Sequence, residues 1–132
     1  MQAVIAGMLK NWFNPGWLAV ALLCMSSVMT LTHLPQDPTP ESLKQGFFHI
    51  DKAEHVLAYG VITLLFILAL RRPVQMHVFL LVLAGVAVIG LLDELTQPLM
   101  GRVCGATDYI ANVIGILLCA VISARSVLSP RG

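Results

Sequence analysis

The chain is 132 residues long, 58% hydrophobic and only 11% charged, with a formal net charge of +1. A soluble domain of this size needs more polar surface than that composition supplies, so a water-soluble globule is excluded. The near-neutral balance gives no reason to expect a nucleic-acid partner.

In chain order, the first uncharged stretch runs from Asn11 to Gln36. It exceeds the ~18 apolar residues that mark a transmembrane helix and predicts one over about 14–34. Trp12 and Trp17 flank its start, where amphipathic aromatics favour the membrane interface. Lys10 precedes it, and Leu31-Thr32-His33-Leu34-Pro35 follows in place of a small-x-small cleavage site. The segment is therefore expected to be a retained signal anchor. Pro35, Pro38 and Pro40 then forbid a continuous helix. Residues 41–50 suit either a short surface helix or a simple loop.

Val56 to Leu70 is a run of 15 uncharged residues and predicts a second helix over 53–71. Arg72-Pro73 gives a tight turn. Pro73 to Leu92 is again uncharged and predicts a third helix over 74–96, closed by Pro98. Gly101 and Gly105 let the chain fold back. Tyr109 to Ala124, 16 uncharged residues, predicts a fourth helix over 107–125. The expected fold is all-α: one domain over residues 1–132, a compact up-and-down four-helix transmembrane bundle. At ~1.5 Å per residue the second and fourth runs reach about 23 Å, short of the ~30 Å hydrocarbon core. Their polar first turns must complete the crossing, which puts His55 and Asn112 at or just inside the membrane boundary.

Four crossings bring both termini and the 71–73 turn to one side, with Lys10, Arg71, Arg72, Arg125 and Arg131 and no acidic residue. The other side carries Lys44, Lys52 and Arg102 and all seven carboxylates: Asp37, Glu41, Asp51, Glu54, Asp93, Glu94 and Asp108. The Lys/Arg excess places both termini in the cytoplasm and the acidic side outward. The expected location is a bacterial cytoplasmic membrane, multi-pass, with the lipid bilayer as the first partner.

The three polar patches have helical spacing. Asp51, His55 and Tyr59 recur every four residues and share one face; Glu94 and Gln97 are three apart; Asp108 and Asn112 are four apart, with Gly115 three further on. Lys52 and Arg102 supply positive charge at the rim. Ionisable groups at such depth are costly and mark a site. The expected pocket joins His55, Glu94 and Asp108 as candidate acid–base residues with Asp51, Lys52, Tyr59, Gln97, Arg102 and Asn112 as ligand-binding residues.

Three blocks, Asp51-Lys52-x-x-His55-x-x-x-Tyr59, Glu94-x-x-Gln97 with Gly101-Arg102, and Asp108-x-x-x-Asn112-x-x-Gly115, give the chain a resemblance to the VanZ-like integral membrane proteins. The resemblance covers most of 50–120. It implies a compact four-helix membrane protein of the cell envelope. The family's namesake is associated with low-level resistance to the lipoglycopeptide teicoplanin, so antibiotic resistance is an implication of the resemblance alone.

Each group also has a plainer role. Asp108 can cap a helix N-terminus; Asn112 and Gln97 can bond between helices; Lys52 and Arg102 can pair with Asp51, Glu94 or Asp108. Asp93, Glu54, Lys44 and Glu41 are expected in solvent, and Gly85, Gly90 and Gly115 at close helix contacts. Cys24, Cys104 and Cys119 form no framework, with an odd count and no CxxC pair. No cofactor is expected, and no metal: His55, Glu94 and Asp108 are a possible donor set, but the second and fourth helices lack paired-histidine spacing. Three functions follow. The leading one is recognition of an envelope lipid, a lipid-linked precursor or an amphiphilic antibiotic, with Lys52 and Arg102 holding phosphate or carboxylate. The alternative is an enzyme on such a substrate, with His55 and Glu94 as base and acid and Asp108 orienting one of them. The third is a structural or accessory subunit.

The orientation is tested by thiol labelling. A cysteine introduced as Ser126→Cys is expected to resist an impermeant reagent in intact cells, and its labelling there overturns cytoplasmic termini.

Overall fold

The computed structural model describes residues 11–34, 48–101 and 105–128, without the side chains of 48–51. Among the described residues, four long helices form it: α1 (Pro15–Thr32), α2 (Phe48–Ala69), α3 (Met76–Thr96) and α4 (Ala106–Leu128). Each is long and apolar enough to cross a membrane. Among the described residues the one extended pairing is an isolated antiparallel bridge between Phe13 and Leu70.

The helix ends follow local chemistry. Pro15 opens α1, where a missing N–H costs nothing, and Asn14 Oδ1 accepts the Gly16 and Trp17 amides at 3.0 and 3.4 Å. A 3₁₀ turn, Gln97–Met100, follows α3, and Gly101 closes it at φ 73°, a backbone region that favours glycine. α3 begins two residues later than predicted and α4 ends three later. The described part of α2 begins at Phe48, at least five residues before the predicted 53, because nothing between 48 and 52 breaks a helix. Residues 48–50 are thus helical; residues 41–47 lie outside the described residues, as do Arg102 and Cys104.

The bundle is up-and-down. The Asn14 amide donates to Ala69 O at 2.7 Å, the Arg71 amide to Trp12 O at 2.8 Å and Arg72 Nη1 to Ser126 O at 2.8 Å, so the starts of α1 and α3 meet the ends of α2 and α4. An apolar core of Ile67, Leu70, Val74, Val78, Phe79, Ala120 and Val127 fills this half. Tyr59, Ile62, Val86 and Ile116 form the middle layer. The other half is polar. Leucines, valines and isoleucines cover the outside, as a bilayer-facing surface demands.

α2 is central, and its largest interface is with α4. Two glycines permit it. A Cβ on Gly115 would collide with the Val56 carbonyl oxygen and stand 3.0 Å from Gly60 N. In lipid, helices associate through such close backbone contact rather than through a hydrophobic drive between them. Gly90 has a similar role toward Tyr59, whose ring carbon would lie 2.9 Å from an added Cβ. Gly85 meets nothing within 4 Å, so the expected close contact is absent there.

These environments set opposite signs for one substitution. Gly115→Ala is expected to lower thermal stability in detergent by about 1–3 kcal/mol through overpacking. Gly85→Ala is expected to raise it, by up to about 1 kcal/mol, through helix propensity. Equal effects would show that the α2–α4 approach is not limiting.

Candidate functional site

The stripe on α2 reaches two partners. His55 and Tyr59 are both buried one turn apart. His55 Nδ1 lies 2.9 Å from Asn112 Oδ1, and Asn112 Nδ2 donates to Glu94 Oε1 at 3.4 Å. The amide nitrogen of Asn112 faces a carboxylate, so its oxygen faces His55, and Nδ1 of His55 carries the donated hydrogen; the reverse would set acceptor against acceptor. The same Nδ1 is 3.6 Å from Glu94 Oε1. One turn deeper, the Tyr59 hydroxyl donates to Asp93 Oδ2 at 3.2 Å.

Glu94 and Asp93 are adjacent on α3 and face different neighbours. Glu94 faces α2 and α4. Asp93 faces α2 and α1, accepting Thr32 Oγ1 at 2.8 Å on Oδ1, with His33 Nδ1 at 3.3 Å. His33 Nδ1 also contacts Met29 O at 2.7 Å, and Nε2 contacts Thr96 Oγ1 at 2.8 Å. The end of α1 is thereby fastened to the end of α3. Asp93 was expected in solvent and is instead fully buried at 0% exposure. The correction has a clear cause: Thr32, His33 and Tyr59 replace the water that a carboxylate otherwise requires.

Asp108 occupies the first turn of α4, where the helix dipole favours an anion, and its carboxylate folds back over Gly105. It also forms an ion pair with Lys52, one of the plainer roles allowed for both residues. A helix-start role and a place in the cluster coexist. One ring nitrogen of His55 and one carboxylate oxygen each of Glu94 and Asp108 lie within 4.8 Å of one another. An imidazole with two carboxylates is a donor set that a divalent cation such as zinc or manganese accepts. Lys52 already supplies positive charge at Asp108.

Thus His55, Glu94, Asp108 and Asn112 converge, Lys52 joins through Asp108, and Tyr59 sits beside them on Asp93. Gln97 is buried at 2% exposure on the turn after Glu94. Gln97 Nε2 and Glu94 Oε2 have no hydrogen-bond partner among the described residues, although the Gly105 backbone lies near the Glu94 carboxylate. The Asp51 side chain and Arg102 lie outside the described residues. Sequence reasoning missed Asp93, Thr32 and His33. The signal for the last two was present: a histidine and a threonine at the C-terminal end of the first span, at the same end of the bundle as the described carboxylates Glu54, Asp93, Glu94 and Asp108.

A cavity of about 230 Å³ opens between α1 and α2. Val28, Leu31 and Ala58 form its apolar wall, and Thr32, Glu54, His55 and Tyr59 its polar one. It touches both networks through His55 and Tyr59. Comparison with protein-family models, with curated proteins and with solved structures finds no match to this chain. The fold and site therefore define a class and no more: a small multi-pass all-α membrane protein with a buried polar layer at one end of its bundle.

The Asp93 network is tested by stability. Asp93→Asn leaves the Tyr59 or Thr32 hydroxyl facing an amide N–H, and a loss of about 1–3 kcal/mol is expected. Adding Tyr59→Phe to that variant is expected to cost less than Tyr59→Phe alone, because the stranded donor is already lost. Strict additivity in thermal unfolding would show that the two residues do not share a bond.

Proposed function

We propose that this protein is a VanZ-like integral protein of the bacterial cytoplasmic membrane that recognises an amphiphile at the outer membrane edge, its termini being cytoplasmic. The guest is an envelope lipid, a lipid-linked precursor or an amphiphilic antibiotic. The observation that carries the reading is the cavity between α1 and α2, whose wall passes from Val28, Leu31 and Ala58 to Thr32, Glu54, His55 and Tyr59. Its volume of about 230 Å³ is below the ~300–1,000 Å³ of drug-sized sites, and suits a headgroup whose chain stays in the bilayer. The three motif blocks support the family, and the Lys/Arg asymmetry supports the orientation.

A second reading, catalysis, rests on the 4.8 Å cluster of His55, Glu94 and Asp108 and on the buried Glu94 Oε2, which has no side-chain hydrogen-bond partner among the described residues. There His55 and Glu94 exchange a proton with the substrate and Asp108 positions the helix end. Incubation of the purified protein with envelope lipid extract separates the two. Recognition predicts lipid retained by the wild type and lost in Ala58→Trp, which fills the cavity, with no new product by mass spectrometry. A product that disappears in Glu94→Gln would replace recognition with catalysis.

A further inference from the structure

We infer that the cavity between α1 and α2 takes an ammonium headgroup, held by N–H bonds donated to Glu54 and Thr32. This rests on the amphiphile reading and narrows it to a chemical class.

The first argument is the direction of the hydrogen bonds. A hydroxyl has one hydrogen and two lone pairs. Tyr59 gives its hydrogen to Asp93 at 3.2 Å. Thr32 gives its own to Asp93 at 2.8 Å or to Met29 O at 3.0 Å. What either oxygen retains for a guest is lone pairs. Glu54 adds a carboxylate, which only accepts when ionised. The Nδ1 hydrogen of His55 is directed at Asn112. The wall therefore matches a guest that donates.

The second argument is charge. Glu54 lines the cavity and Asp93 lies directly behind Tyr59 and Thr32, while no lysine or arginine lines it among the described residues. Lys52 is held on Asp108, which does not line the cavity. A phosphate there would face a carboxylate and hydroxyl lone pairs, so the phosphate site expected from Lys52 is not this cavity. A primary ammonium satisfies both conditions, with three donors and a positive charge on a small group. The apolar wall of Val28, Leu31 and Ala58 then meets the methylenes next to the nitrogen.

The test uses the full-length protein in neutral detergent and a set of lysolipids with one acyl chain and different heads: ethanolamine, choline and glycerol. Free ethanolamine is the control without a chain. Binding is measured by native mass spectrometry. The choline head keeps the charge and lacks N–H donors. A hydrogen bond to a charged group contributes about 1.5–3 kcal/mol, so the ethanolamine lipid is expected to bind at least about tenfold more tightly than the choline lipid. Glu54→Gln, at an exposed position that does not threaten the fold, is expected to reduce that preference. Equal binding of all three heads, abolished by Ala58→Trp, would overturn the ammonium while leaving amphiphile recognition standing. Binding of none, with Ala58→Trp behaving as wild type, overturns both. Free ethanolamine binding as tightly as its lysolipid overturns the proposal in favour of a soluble amine.

Discussion

The structure depends on one constraint: α3 carries two adjacent carboxylates in its last turn, both buried. That position is unfavourable twice over. Burial strips water from the charge, and the C-terminal end of a helix dipole repels an anion. The other three helices supply the compensation. Asp93 draws Thr32 and His33 from α1 and Tyr59 from α2. Glu94 draws Asn112 from α4 and lies beside His55 of α2. Directional bonds of this kind fix the register of four helices. Contacts among leucines and valines are much less able to do so in lipid, because the surrounding chains are equally apolar.

Backbone approach and site geometry are one problem. Asn112 is a short side chain, and its 2.9 Å contact with His55 requires α2 and α4 to be close. Gly115, one turn from Asn112, lies against the carbonyl of Val56, the neighbour of His55. A larger residue at 115 displaces α4 at the level where the polar cluster begins. The glycine thus acts on the site without touching it.

Much of this was legible in the sequence. Charge-free runs gave four spans, and spacings of three and four put His55 with Tyr59 and Asp108 with Asn112. The alternating direction of successive helices then puts all three patches at one end. Asp93 was not legible. A carboxylate next to Glu94 near a predicted helix end looks solvated, and its burial depends on Thr32, which is 61 residues away in sequence. Periodicity within one helix carries no information on which face a different helix covers. The extension of α2 before residue 53 is not legible, because Asp51 and Lys52 form the edge of an apolar run, although charge alone does not end a helix. The cavity has no sequence signature, since it is a gap left by the packing of α1 on α2.

The separation of charge between the two ends also has a structural cause. α2 and α4 run in the same direction, so their positive dipole ends coincide at the polar end of the bundle and their negative ends coincide at the other. Asp108 sits in the first turn of α4. Arg125 sits in the last turn of α4, and Arg71 and Arg72 follow α2 after one intervening residue, Leu70. Two of these arginines also satisfy backbone oxygens left exposed at that end: Arg71 Nε donates to Phe13 O at 3.0 Å and Arg72 Nη1 to Ser126 O at 2.8 Å. Basic residues at one end and acids at the other therefore stabilise α2 and α4 whichever way the chain is inserted. The lysine and arginine excess that points to cytoplasmic termini is thus partly a requirement of the fold. Among the described residues, the buried pair Asp93 and Glu94 on α3 carries charge that no helix end or carbonyl calls for, and it is there, close to the cavity, that function has the most to explain.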